Sequence, residues 1–103
     1  MSNPMVEDAI QALTDRHRPV TFNEYGSPII AGFSITDGPD GKARITHTTG
    51  KVDLLDSDRP TDDELVTARR FFVNAYAETF EELGWAVQRC GPHSRHPYLL
   101  ASH

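Results

Sequence analysis

The chain has 103 residues, 38% hydrophobic and 24% charged, with 15 acidic against 10 basic side chains and a formal net charge of −5. That length fits one domain, 1–103, and leaves no room for two; the composition excludes a wholly disordered chain. The acidity argues against a protein whose main task is to coat nucleic acid or anionic membrane.

Asn3-Pro4 predicts a helix start, a capping side chain followed by proline at the first helical position. Val6, Ala9, Ile10 and Leu13 then recur at helical spacing. The helix is expected to end near His17, because Pro19 disfavours helical backbone at Arg18. Val20-Thr21-Phe22 reads as a short strand and Gly26-Ser27-Pro28 as a turn or bulge. A stronger strand is expected from Ile29 to Thr36, with Ile29, Ala31, Phe33 and Ile35 on one face. The turn-rich run from Asp37 to Lys42 joins it to a β-branched strand from Ala43 to Thr49, making an antiparallel hairpin. The stretch from Lys51 to Pro60 reads equally as strand extension or loop.

The clearest feature is a long helix from Asp62 to Leu83. Thr61-Asp62-Asp63-Glu64 forms a capping box, with three carboxylates at the positive end of the helix dipole. Leu65, Ala68, Phe72, Tyr76, Phe80 and Leu83 form an apolar stripe, and Gly84 supplies the C-terminal cap. Trp85 to Cys90 and Tyr98 to Ser102 then read as strands flanking a turn. The expected fold class is α+β: a two-layer arrangement with an antiparallel sheet of four or five strands against two helices, in the order α-β-β-(β)-α-β-β. That order resembles, in topology alone, small two-layer chaperone-like and regulatory domains that bind other polypeptides.

Cys90 stands alone, so no intrachain disulfide forms. The first ten residues lack the basic and apolar regions of a signal peptide, and no apolar run approaches the roughly 20 residues of a membrane span. A cytoplasmic protein without a membrane partner is expected.

Functional side chains concentrate in the last hairpin, where Arg89, Cys90, His93, Arg95 and His96 fall close together. Cys90-x-x-His93-x-x-His96 has the spacing of weak zinc candidates but lacks a second cysteine pair and a clear fourth ligand. The same run is the one local excess of positive charge, suited to an anion, a nucleic-acid backbone or an acidic partner. The competing structural reading pairs it with Glu81 and Glu82, which oppose the dipole at the end of the long helix. Within that helix Arg69 falls in the apolar arc, its stem expected to pack and its head to reach water. Phe71 falls in the polar arc. It either packs under the 51–60 stretch or contacts another chain, and in the second case Phe71→Glu converts a dimer into a monomer. His17 and His47 read as partly buried structural histidines. The acidic run at Asp53, Asp56 and Asp58 lacks the spacing and glycine of a calcium loop.

No cofactor motif and no catalytic residue is identified. The leading expectation is a small non-enzymatic interaction or regulatory domain. It binds a protein partner or itself through Phe71 and the hairpin residues Arg89, His93, Arg95 and His96. One alternative is a nucleic-acid accessory protein using the hairpin from Arg89 to His96. Another is a small metal-dependent or acid–base enzyme at Cys90, His93 and His96.

Overall fold

The computed structural model describes residues 4–22, 24–25, 28–49 and 61–103. The expectations for Asn3, for Gly26-Ser27 and for the 51–60 stretch fall outside them. Two helices, α1 (Pro4–Thr14) and α2 (Asp62–Glu82), pack on one face of an antiparallel sheet. The sheet strands are β3 (Gly32–Asp37), β4 (Ala43–Thr48), β5 (Ala86–Cys90) and β6 (Tyr98–Ser102), in the spatial order β3-β4-β6-β5. A separate two-stranded ribbon joins β1 (Thr21–Phe22) to β2 (Pro28–Ile30). This is the α+β architecture expected from the sequence.

The strand expected from Ile29 to Thr36 is divided. It breaks at Ala31, so that Pro28–Ile30 pairs with β1 while β3 pairs with β4 from Gly32↔Thr48 to Asp37↔Ala43. The cause is a long-range crossing. The backbone after α1 runs against the start of β3, where the Phe33 amide donates to the Arg18 carbonyl (3.0 Å) and the Val20 amide to the Phe33 carbonyl (3.0 Å). A Cβ on Gly32 would collide with the Arg18 carbonyl oxygen and with Pro19 backbone, so glycine is needed there. α1 also ends earlier than expected, at Thr14, and the Arg16 and His17 amides both donate to the Leu13 carbonyl (3.1 and 2.8 Å).

α2 starts and stops as its sequence dictates. Thr61 caps it, its hydroxyl accepting from the Glu64 amide at 3.2 Å. At the other end Gly84 adopts φ 86°, the Trp85 amide donates to the Phe80 carbonyl (2.9 Å) and the Gly84 amide to the Glu81 carbonyl (3.1 Å). These two bonds form a Schellman motif, closed by the contact between the Phe80 and Trp85 rings (4.9 Å). Thr61→Ala removes the N-cap acceptor and is expected to lower stability by about 1 kcal/mol, read from urea unfolding midpoints.

The core centres on Tyr76, Phe80, Leu13, Ile45 and Leu99, each less than 2% exposed. The apolar stripe read from the sequence is corrected in part. Tyr76 and Phe80 are buried with Val66, Val73 and Ala77, whereas Leu83 is 51% and Phe72 38% exposed. The buried arc is rotated toward Val73 and Ala77, and the Thr79 hydroxyl meets His17 of the segment after α1.

One detail of register positions the site. β4 pairs with β3 over six residues, but with β6 only over Ala43, Arg44 and Ile45, opposite Ala101, Leu100 and Leu99. Among the described residues, the β6-facing edge of β4 beyond Ile45 carries no strand and opens on a hollow.

Candidate functional site

A row of aromatic and imidazole rings runs from the surface of α2 into the core. Phe71 is 67% exposed and meets Phe72 edge-on at 5.3 Å. Phe72 stacks on His47 at 4.3 Å with the planes 9° apart. His47 Nδ1 lies 2.7 Å from the buried Tyr76 hydroxyl, and Tyr76 meets His17 edge-on at 4.8 Å. His17 Nε2 lies 2.8 Å from the Thr79 hydroxyl. The segment after α1, strand β4 and helix α2, all distant in sequence, are joined through these contacts.

Burial, helped by the Arg69 guanidinium, lowers His47 to about 4. Burial, with Arg16 adding to it, also lowers His17. Burial raises the Tyr76 phenol. At neutral pH the imidazole is therefore a weak base and the phenol a weak acid. A pair tuned away from neutrality in both directions is poorly suited to general acid–base catalysis.

The sequence-predicted residues are spread out rather than brought together. Arg89 donates to Glu81 at 2.7 Å and reaches Asn74 at 3.4 Å, so the structural pairing expected at the end of α2 holds for Glu81. Glu82 pairs with Arg16, just after α1, instead of the hairpin. His93, Arg95 and His96 are exposed. Cys90 and His96 line different hollows, and no three His, Cys, Asp or Glu side chains among the described residues stand where they could hold a metal ion.

Neither the hairpin partner of Arg69 nor any role for Arg70 was legible in the sequence. Arg70 donates to the carbonyls of Ser94 (3.1 Å) and His93 (2.5 Å), and Arg69 to that of Arg95 (3.2 Å). Two guanidiniums thus pin three successive carbonyls of the turn. Arg69 is half-buried, and its head brackets the hairpin. Backbone acceptors carry no residue signature, so no pattern in the sequence could have announced this.

Three hollows adjoin these contacts. The first, about 210 Å³, is mostly apolar and lies between α2 and the hairpin, with Val73, Cys90, Pro92 and Tyr98 on its walls. The second, about 400 Å³, is polar and lies beside β4, between Arg44, Thr48, Arg69 and His96. The third, about 270 Å³, lies beside α1 between Arg18, Gly32, Phe72 and Tyr76. His47 forms a wall shared by the second and third.

The outer face of α2 has a different character. Glu64 and Glu78 lie two helical turns before and after Phe71 and are exposed like it, with the small residues Ala68 and Ala75 between. The result is an aromatic anchor on a shelf of small side chains, with a carboxylate at each end. No described helix is long and apolar enough to cross a membrane. Comparison of the chain with protein-family models, with characterised proteins and with solved structures found no match.

Proposed function

We propose that the chain is a non-enzymatic interaction domain of the cytoplasm, and that its docking surface is the outer face of α2 around Phe71. The observation that carries this reading is Phe71 itself. It is a phenylalanine 67% exposed on a well-capped helix, its ring steadied by Phe72 beneath it. Rigid exposed aromatics of this kind are common anchors of protein–protein contacts.

Charge selects the partner. A second copy placed against this face by a two-fold axis through Phe71 would set Glu64 against Glu78 of its neighbour if antiparallel, and like against like if parallel. Either arrangement brings carboxylates together at both ends of the contact. A different polypeptide fits better: one with an apolar pocket or groove for Phe71 and lysine or arginine at its rim. Such a partner neutralises Glu64 and Glu78 while burying the ring.

The test uses two synthetic amphipathic helical peptides of the same apolar pattern, one with a lysine-rich and one with a glutamate-rich polar face. The lysine-rich peptide is expected to bind, more weakly at high salt. Phe71→Ser is expected to cost at least about 2 kcal/mol of that binding, roughly 30-fold in Kd, while changing folding stability by no more than about 0.5 kcal/mol. Equal binding of both peptides, or binding indifferent to Phe71→Ser, contradicts the reading.

A further inference from the structure

We infer that the polar hollow beside β4 is a binding site for a phosphate monoester, held by Arg44 and Arg69 with Thr48, Thr49 and His96. The site lies on a different surface from the docking face of α2 and does not depend on it.

Arg44 belongs to β4, Arg69 to α2, and His96 to the turn before β6. Three separate elements therefore converge on one hollow of about 400 Å³, and among the described residues no carboxylate lines it. Both guanidiniums are positioned by neutral groups. Arg44 lies over the Tyr98 ring at 4.5 Å, and Arg69 donates to the Arg95 carbonyl at 3.2 Å. Each is held in place with its charge uncancelled by these contacts. The contrast with Arg89 and Arg16, which pair with Glu81 and Glu82, is direct. In a chain of net charge −5, two positioned guanidiniums with no carboxylate among the described lining residues mark a place where an anion lowers the electrostatic energy.

The donor set chooses the anion. Two planar guanidinium forks, the Thr48 and Thr49 hydroxyls and an imidazole offer more donors than the two oxygens of a carboxylate can accept. A phosphate monoester brings three terminal oxygens and close to two negative charges, and guanidinium forks match its geometry. The Arg69 charge also bears on His47, part of whose depressed basicity it causes. An anion beside Arg69 offsets that repulsion.

Inorganic phosphate is titrated into the ¹⁵N-labelled chain at constant ionic strength, with sodium chloride as the comparison. Saturable shifts are expected at the amides of Thr46, Thr48, Thr49 and His96, with a Kd on the order of 1 mM for the free ion. The His47 titration midpoint is expected to rise in saturating phosphate. Arg44→Gln, on the exposed face of β4, is expected to weaken binding about tenfold, and Arg69→Gln to do the same. A threonine variant, Thr48→Ala, tests the hydroxyls without touching either cation and is expected to weaken binding less. Two further probes separate the sources of the phosphate. A phosphoserine peptide that binds at least tenfold more tightly than inorganic phosphate assigns the ester to a polypeptide, whereas glycerol phosphate matching that peptide assigns it to a small molecule; both results uphold the site. Unsaturable shifts that chloride reproduces, or a Kd unmoved by both arginine variants, overturn it.

Discussion

Phe80→Ala is expected to destabilise the fold by about 3–5 kcal/mol, the range for emptying a fully buried aromatic site. Phe80 has no exposed surface, and its ring packs against Trp85 at 4.9 Å. Its carbonyl also accepts the Trp85 amide in the motif that ends α2, so the ring sits where helix, cap and β5 meet. A domain of this size has a total stability of roughly 5–15 kcal/mol, so the loss is a large share of the whole. The control is Phe71→Ala, the same chemical change on the same helix, for which no more than about 0.5 kcal/mol is expected. Urea unfolding of the two variants checks both. Similar losses in the two would mean that the assignment of inner and outer faces of α2 is wrong.

The second large effect is acid destabilisation through His47. In the folded chain His47 titrates near 4, against an ordinary value of 6.5 when unfolded. Between those values the unfolded state binds a proton that the folded state does not. Stability is therefore at its full value above about pH 6.5, falls as the pH drops, and has lost the whole contribution once the pH passes through about 4. A shift of this size corresponds to about 3 kcal/mol. His17, lowered from the same cause, acts in the same direction. His47→Gln removes the titration while keeping a hydrogen-bonding group near Tyr76. Its unfolding free energy is expected to be much flatter than that of the parent between pH 6.5 and 4. Parallel curves for the two proteins would show that His47 is not held neutral by the fold.

These two residues also show what the sequence made legible. Phe80 and the ends of α2 were readable because capping and helical spacing are local: Thr61, Glu64 and Gly84 act within a few residues of themselves. The hairpins were readable for the same reason, through the turn residues of Asp37 to Lys42 and Gly91 to Pro97. The break in the strand at Ala31 was not, because alternation continues across it and the cause is a backbone crossing from residues 18–20. His47 could be placed on a strand face with Ile45, but its partner Tyr76 is 29 residues away and no spacing rule connects them. The hairpin cations were singled out from their density, and Arg89 answers Glu81 as expected, yet that density did not reveal that Glu82 turns to Arg16. It also could not reveal that the converging cations, Arg44 and Arg69, come from other elements. The position of Phe71 on the polar face of the helix left open whether it packs under the 51–60 stretch or contacts another chain; it is 67% exposed.

The most direct measurement for the docking surface is a map of amide shifts on the ¹⁵N-labelled chain as the lysine-rich amphipathic peptide is added. The shifts are expected to centre on Thr67, Ala68, Phe71, Asn74 and Ala75, to extend to Glu64 and Glu78, and to vanish in Phe71→Ser. Shifts centred instead on the β5–β6 hairpin or on α1, with Phe71 unmoved, would contradict the assignment of α2 as the interaction face.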